Sequence, residues 1–153
     1  MIKAVIIDDE INAQSLLEKT LDRYFPNKFN IVEKCISVDE GVQAIKKYEP
    51  DLVFLDIQMP EKNGFELFKH FEVINFEVIF TTAHDKFGIK AIKRSALDYL
   101  LKPIAFPRFM QAANRLQRAQ NAALVTAQRE EDIILAVNKE KIRLRKKDIL
   151  YIE

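Results

Sequence analysis

The sequence holds 153 residues, 48% of them apolar, which suffices for one well-packed domain and part of a second and excludes a disordered chain. Formal net charge is +1, yet residues 1–104 carry 14 basic and 17 acidic side chains while residues 105–153 carry 10 and 6, so the tail is mildly basic. A single cysteine, Cys35, excludes an internal disulfide framework and a cysteine-based zinc site; with no basic flank and apolar core at the start, and no apolar run near the ~18 residues of a membrane span, a soluble cytoplasmic protein is expected.

Ile2 to Ile7 is an apolar strand that ends in three acids, Asp8, Asp9 and Glu10. From Ile11 to Phe25 the residues Leu16, Leu17, Leu21, Tyr24 and Phe25 recur at helical spacing, and Pro26-Asn27 closes the segment. FNIVEKCIS predicts a second strand, and Asp39 to Tyr48 a second helix with Val42, Ala44 and Ile45 inward and Pro50 behind it. DLVFLD is a third strand whose unbroken apolar run implies burial on both faces, and it ends at Asp56. Gly64 to Phe71 predicts a third helix, FEVIFTTA a fourth strand, Lys86 to Ser95 a fourth helix, ALDYLLKP a fifth strand, and Phe106 onward a long fifth helix.

This alternation predicts an α/β fold, an open doubly wound five-stranded parallel sheet of flavodoxin-like order 2-1-3-4-5. In such sheets the ligand site lies beyond the carboxyl ends of the strands where the order reverses, between strands one and three. Asp8, Asp9 and Asp56 would converge there. Three carboxylates at one sheet edge repel one another unless a cation shares the site. Oxygen ligands that leave room for water and a phosphate suit Mg²⁺ better than a fully caged Ca²⁺. Taken alone, Asp8 and Asp9 read as caps of the first helix, where acids are favoured. Asp56 decides between the two because it ends a different strand, and Thr82 and Lys102 end strands four and five around it. A hydroxyl and an ammonium beside a carboxylate and a metal suit phosphoryl transfer, with the aspartate as a nucleophile that yields an acyl phosphate.

DDE after strand one, FLDIQMP followed by Asn63-Gly64, TTA on strand four and DYLLKP on strand five together resemble the receiver domain of bacterial two-component response regulators, over about residues 2–120. The resemblance implies that Asp56 is the phosphoacceptor and that Asp8, Asp9 and Asp56 hold Mg²⁺ with the backbone carbonyl of Gln58. It implies further that Lys102 pairs with the phosphoryl group, that Lys102-Pro103 is a cis peptide, and that a sensor histidine kinase is the donor. Such a chain is a signalling receiver that catalyses only its own phosphorylation and dephosphorylation. Phosphorylation adds about two negative charges; Thr82 would move to bond a phosphoryl oxygen and Tyr99 would rotate into the space vacated. The change would be read on the face of the fourth helix, fifth strand and fifth helix, where Lys90, Lys93, Arg94, Asp98, Arg108 and Arg115 are available for charge pairing. The family commonly forms a homodimer through that face.

From Phe106 to about Glu130 no Gly interrupts the fifth helix, and Pro107 falls in its first turn, so about 25 residues span roughly 37 Å. After Glu131 the period changes to two in IILAVNKEKIRLRKKDILYIE, with a turn at Asn138 to Lys141. This stretch resembles the opening strands of a LytTR-type DNA-binding domain. The expected organisation is a receiver over 1–120, a linker helix extension over 121–131 and a truncated start of that domain over 132–153. DNA would then be a partner only of the full-length protein, and no membrane partner is expected. Two other classes compete: an aspartyl-nucleophile phosphatase of the haloacid dehalogenase type, disfavoured because DDE replaces Asp-x-Asp and no cap insertion follows, and a phosphorylation-independent interaction module, disfavoured by intact Asp56, Thr82 and Lys102.

Overall fold

A computed structural model describes residues 1–83 and 98–132, with side chains omitted at Tyr99, Phe106 and 123–132. Its elements are β1 (Ile2–Ile7), α1 (Ile11–Tyr24), β2 (Phe29–Cys35), α2 (Val38–Tyr48), β3 (Leu52–Asp56), a 3₁₀ segment (Gly64–His70), β4 (Glu77–Thr82), β5 (Asp98–Leu101) and α3 (Phe106–Asp132). The strands form one sheet in the order β2-β1-β3-β4-β5, parallel at every pairing, as the alternating pattern requires. The predicted fourth helix over Lys86 to Ser95 and the predicted strands after Glu131 lie outside the described residues. Among the described residues, no helix is long and apolar enough to cross a membrane.

Period two along the strands divides the core between two faces. Val5, Ile7, Val53, Leu55, Val78 and Phe80 pack beneath α2 and the 3₁₀ segment. Ala4, Ile6, Leu52, Phe54, Ile79 and Leu100 pack beneath Leu17 and Leu21 of α1 and Phe109, Ala112 and Leu116 of α3. β3 is central and wholly buried, which is why its sequence shows no alternation between apolar and polar residues.

Three local features depart from the sequence expectation. The buried stripe of α1 is Gln14, Leu17 and Leu21, whereas Leu16 is 63% and Tyr24 41% exposed. At about 100° per residue Leu16 lies a quarter-turn off the Leu17 line, so its apolar character does not bring it inward. The third helix is 3₁₀ rather than α. Phe65, Phe68 and Phe71 are spaced by three, and three residues per turn place them on one side. All three pack on the core, Phe65 and Phe68 against Phe80 at 5.1 and 6.1 Å and Phe71 against Phe76 at 5.5 Å. Finally, α2 begins one residue earlier than expected, because Ser37 caps it by accepting the Glu40 N–H at 3.2 Å while the Glu40 carboxylate accepts the Ile36 N–H at 3.0 Å.

At the sheet edge opposite the acids, Glu77 opens β4 with one carboxylate oxygen buried and, among the described residues, without a hydrogen-bond partner. Burial pushes its carboxyl up from 4.5 to about 6. The folded state therefore holds this proton more tightly than the unfolded chain, so its contribution to stability is full below pH 4.5 and is lost as pH rises through about 6. Glu77→Gln, which mimics the protonated acid, is expected to raise stability at neutral pH by about 1–2 kcal/mol and to leave it unchanged near pH 4, as read by urea denaturation at both values.

Candidate functional site

Parallel β1 and β3 lie side by side, paired from Ala4↔Leu52 to Ile7↔Leu55, so the residues that follow them emerge together at the switch point of the sheet. Asp8 leaves β1 and Asp56 ends β3, both buried, with Asp9 half-buried beside them. One carboxylate oxygen from each of the three lies within 4.8 Å of the others. The N-cap of α1 is Glu10, so Asp8 and Asp9 stand ahead of the helix instead of capping it. Asp8 Oδ1 accepts the Glu10 N–H at 2.9 Å, and Asp56 Oδ1 accepts the Gln58 N–H at 3.2 Å. Each bond fixes one oxygen of its carboxylate and leaves the other to face Lys102.

Lys102, just past β5, closes the site. Its Nζ donates to Asp8 Oδ2 at 2.7 Å and to Asp56 Oδ2 at 3.4 Å, with Glu10 Oε1 at 3.9 Å. Its backbone N–H bonds the Thr82 carbonyl at 2.7 Å, and the Lys102-Pro103 peptide that follows is cis. Burial works against the ammonium charge, but the hydrogen bond to Asp8 and the charges of Asp56, Asp8 and Glu10 outweigh it and raise the Lys102 pKa. Burial is likewise the largest influence on Asp56. Lys102 offsets part of it and Asp8 adds to it, and the carboxyl is pushed up from 3.8 to about 6. A buried acid held near neutrality beside two further carboxylates and one ammonium is short of positive charge. The donor set is entirely oxygen, which fits a hard divalent cation.

Thr82 is buried at the end of β4, one residue past Thr81, the Cα partner of Asp56. Tyr99 occupies the β5 position paired with Phe80, and its side chain lies outside those described. Gln58 is exposed in the loop after β3, where Gly64 N–H returns to bond the Ile57 carbonyl at 2.8 Å. Of the charged residues assigned to a pairing face, Lys90, Lys93 and Arg94 lie outside the described residues. Asp98, Arg108 and Arg115 are engaged with one another. The Asp98 carboxylate is fully buried and is held by both Arg108 guanidinium nitrogens and by Arg115 at 3.1 Å. Gln14 is a residue that sequence reasoning passed over; its one signal was a polar side chain on the α1 stripe otherwise occupied by Leu17 and Leu21.

A doubly wound parallel sheet with three carboxylates and a lysine at its switch point defines a class, and the chain belongs to the response regulator receiver domain family, whose model matches residues 4–114. The transcriptional regulatory protein BtsR of Escherichia coli K12 is 38% identical over 122 residues, covering 79% of this chain and 50% of that protein. The sensory transduction protein LytT of Bacillus anthracis is 27% identical over 164 residues, covering 99% of this chain and 65% of that protein. Among solved structures, the response regulatory domain of mrkE from Klebsiella pneumoniae superposes with a TM-score of 0.64 at 26% identity, over 78% of this chain and 96% of that one. The chain spans about half the length of curated relatives such as BtsR.

Proposed function

We propose that Asp56 accepts a phosphoryl group from a sensor histidine kinase and that this changes the activity of a transcriptional output domain. The observation that carries the proposal is the convergence of Asp8, Asp9 and Asp56 within 4.8 Å with Lys102 Nζ against two of them. Asp8, Asp9, Asp56 and the Gln58 carbonyl would hold Mg²⁺, which supplies charge neutralisation at the phosphoryl oxygens when bound. An ionised Asp56 oxygen attacks phosphorus as the bond to the donor breaks, forming an acyl phosphate. The buried strand end fixes the direction of attack, and Lys102, kept protonated by its acidic neighbours, offers its N–H donors to the transferred group. Thr82 is the hydroxyl that follows the new charge and Tyr99 the side chain that follows Thr82. A homodimer through the face containing β5 and α3 accompanies the switched state. The alignment with LytT over 99% of this chain supports reading 132–153 as the beginning of a LytTR-type DNA-binding domain, after a receiver over 1–120 and a linker over 121–131.

Intact mass after treatment with acetyl phosphate and Mg²⁺ tests the reading. The wild type is expected to gain one phosphoryl mass, and Asp56→Asn or added chelator to abolish the gain. An adduct that persists in Asp56→Asn would remove the nucleophile assignment. No adduct on the wild type, together with no binding of a beryllofluoride mimic, would favour a phosphorylation-independent module.

A further inference from the structure

Gln14 is the one polar side chain in the buried stripe of α1, and it is 4% exposed. Its amide nitrogen donates to the Asp8 carbonyl at 2.7 Å and to the Cys35 carbonyl at 2.8 Å. Both acceptors are main-chain carbonyls, so the orientation of the amide is set by its partners: only the NH₂ end can serve them. The Cys35 carbonyl also accepts the Asp8 N–H at 2.9 Å, so three elements meet at one point, the end of β1, the end of β2 and the first turn of α1. Asp8 lies past the last β1 to β3 pair, Ile7↔Leu55, where the ladder no longer holds its carbonyl. Gln14 takes over that function. The residue whose carbonyl Gln14 holds, Asp8, and the next one, Asp9, both carry carboxylates of the cluster.

We infer that Gln14 is a positioning residue for the cation site, tying the β1 to α1 turn to β2 so that the carboxylates of Asp8 and Asp9 are held in register with Asp56. This rests on the reading of the acidic cluster as a Mg²⁺ site. Groups that orient the ligands of a metal without touching it typically change affinity by 10- to 100-fold when removed. An apolar side chain of similar length would pack in the same space and leave two buried carbonyls without this donor.

The test compares Gln14→Met, Leu17→Ala, Asp9→Asn and wild type by Mg²⁺ titration calorimetry, at a temperature where circular dichroism shows each folded, with hydrogen exchange at the Glu10 amide in metal-free protein. Leu17→Ala destabilises the same helix without touching the turn. Gln14→Met is expected to weaken Mg²⁺ binding by about tenfold and to speed Glu10 exchange, while Leu17→Ala changes neither. Gln14→Arg, which restores N–H donors at that position, should recover most of the affinity; it also replaces Gln14→Met as the decisive variant if the latter does not fold, and a loss as large as that of Asp9→Asn would then overturn the inference. Equal affinity in Gln14→Met and wild type, or equal losses in Gln14→Met and Leu17→Ala, would overturn it too. If wild type and Asp9→Asn both bind no Mg²⁺, the cation site itself is refuted, whereas a wild type that binds and a Gln14→Met that binds equally well refutes only the role of Gln14.

Discussion

On the proposed reading of the acidic cluster as a Mg²⁺ site, lowering the pH from about 7.5 to about 5 is expected to remove most of the stabilisation that the ion would confer. A cation in the cluster requires ionised Asp56, and the buried carboxyl holds its proton up to about 6 against 3.8 ordinarily. Affinity should therefore rise with pH until it levels above about 6, and below that value fall roughly tenfold per unit. In the metal-free protein the sign is opposite. Folded Asp56 binds its proton more tightly than the unfolded chain does, so its contribution to stability is full below 3.8 and is lost as pH rises through about 6. The difference is on the order of 2 kcal/mol once the shift from 3.8 to about 6 is discounted for solvent screening. Thermal melts with and without Mg²⁺ across this range would show two curves that diverge as pH rises. Asp56→Asn should flatten the metal-free curve near pH 6 and shrink the gap at high pH. A Mg²⁺ effect that is constant from about pH 5 to 7.5 would show that Asp56 is not among the groups that bind the ion.

Gly64→Ala is expected to cost about 3 kcal/mol of stability and to impair phosphoryl uptake in the same protein. A Cβ at this position would stand 2.2 Å from the Asp56 carbonyl oxygen and 3.1 Å from Ile57 Cα. Both are backbone atoms at the end of the central strand, and neither can turn aside. Either the loop from Gln58 to Gly64 lifts, stretching the Gly64 N–H bond to Ile57, or the end of β3 shifts and carries the acid with it. Gly41 offers the contrast: its added Cβ would meet Ile7 Cδ1 at 2.4 Å, the far end of a side chain that can change rotamer. Gly41→Ala should consequently cost less, and should leave the site intact. Urea denaturation and acetyl phosphate labelling of both variants check the pair, and equal stability losses with equal labelling would contradict the close-approach account.

Strand order, the burial of β3 and the meeting of Asp8, Asp9 and Asp56 were legible because they follow from chain order and short-range pattern. Alternating apolar runs and amphipathic helices leave one favoured sheet order, and that order brings the ends of β1 and β3 together. What escaped depends on relations between elements that periodicity does not encode. Asp98 reads as a surface charge, yet it is buried because α3 crosses β5 and places Arg108 and Arg115 over it. Gln14 breaks an apolar stripe, and its reason lies in the carbonyls of Asp8, just past β1, and Cys35, at the end of β2. The spacing of Phe65, Phe68 and Phe71 was visible, but successive steps of three differ by only about 60° between the two helix types, so the packing on Phe80 and Phe76 decides between them.

Among the described side chains, the apolar anchorage of the long helix α3 lies near its start. Phe109, Ala112 and Leu116 are its buried apolar side chains among those described, whereas the backbone continues as helix to Asp132. The 16 residues beyond Leu116 make a rod of about 24 Å. A rod of that length amplifies any small tilt of its anchored segment. A tilt of about 10° at Leu116 would carry Asp132 through about 4 Å. The Asp98 carboxylate, held by Arg108 and Arg115 in the first and third turns of the helix, ties that anchored segment to β5.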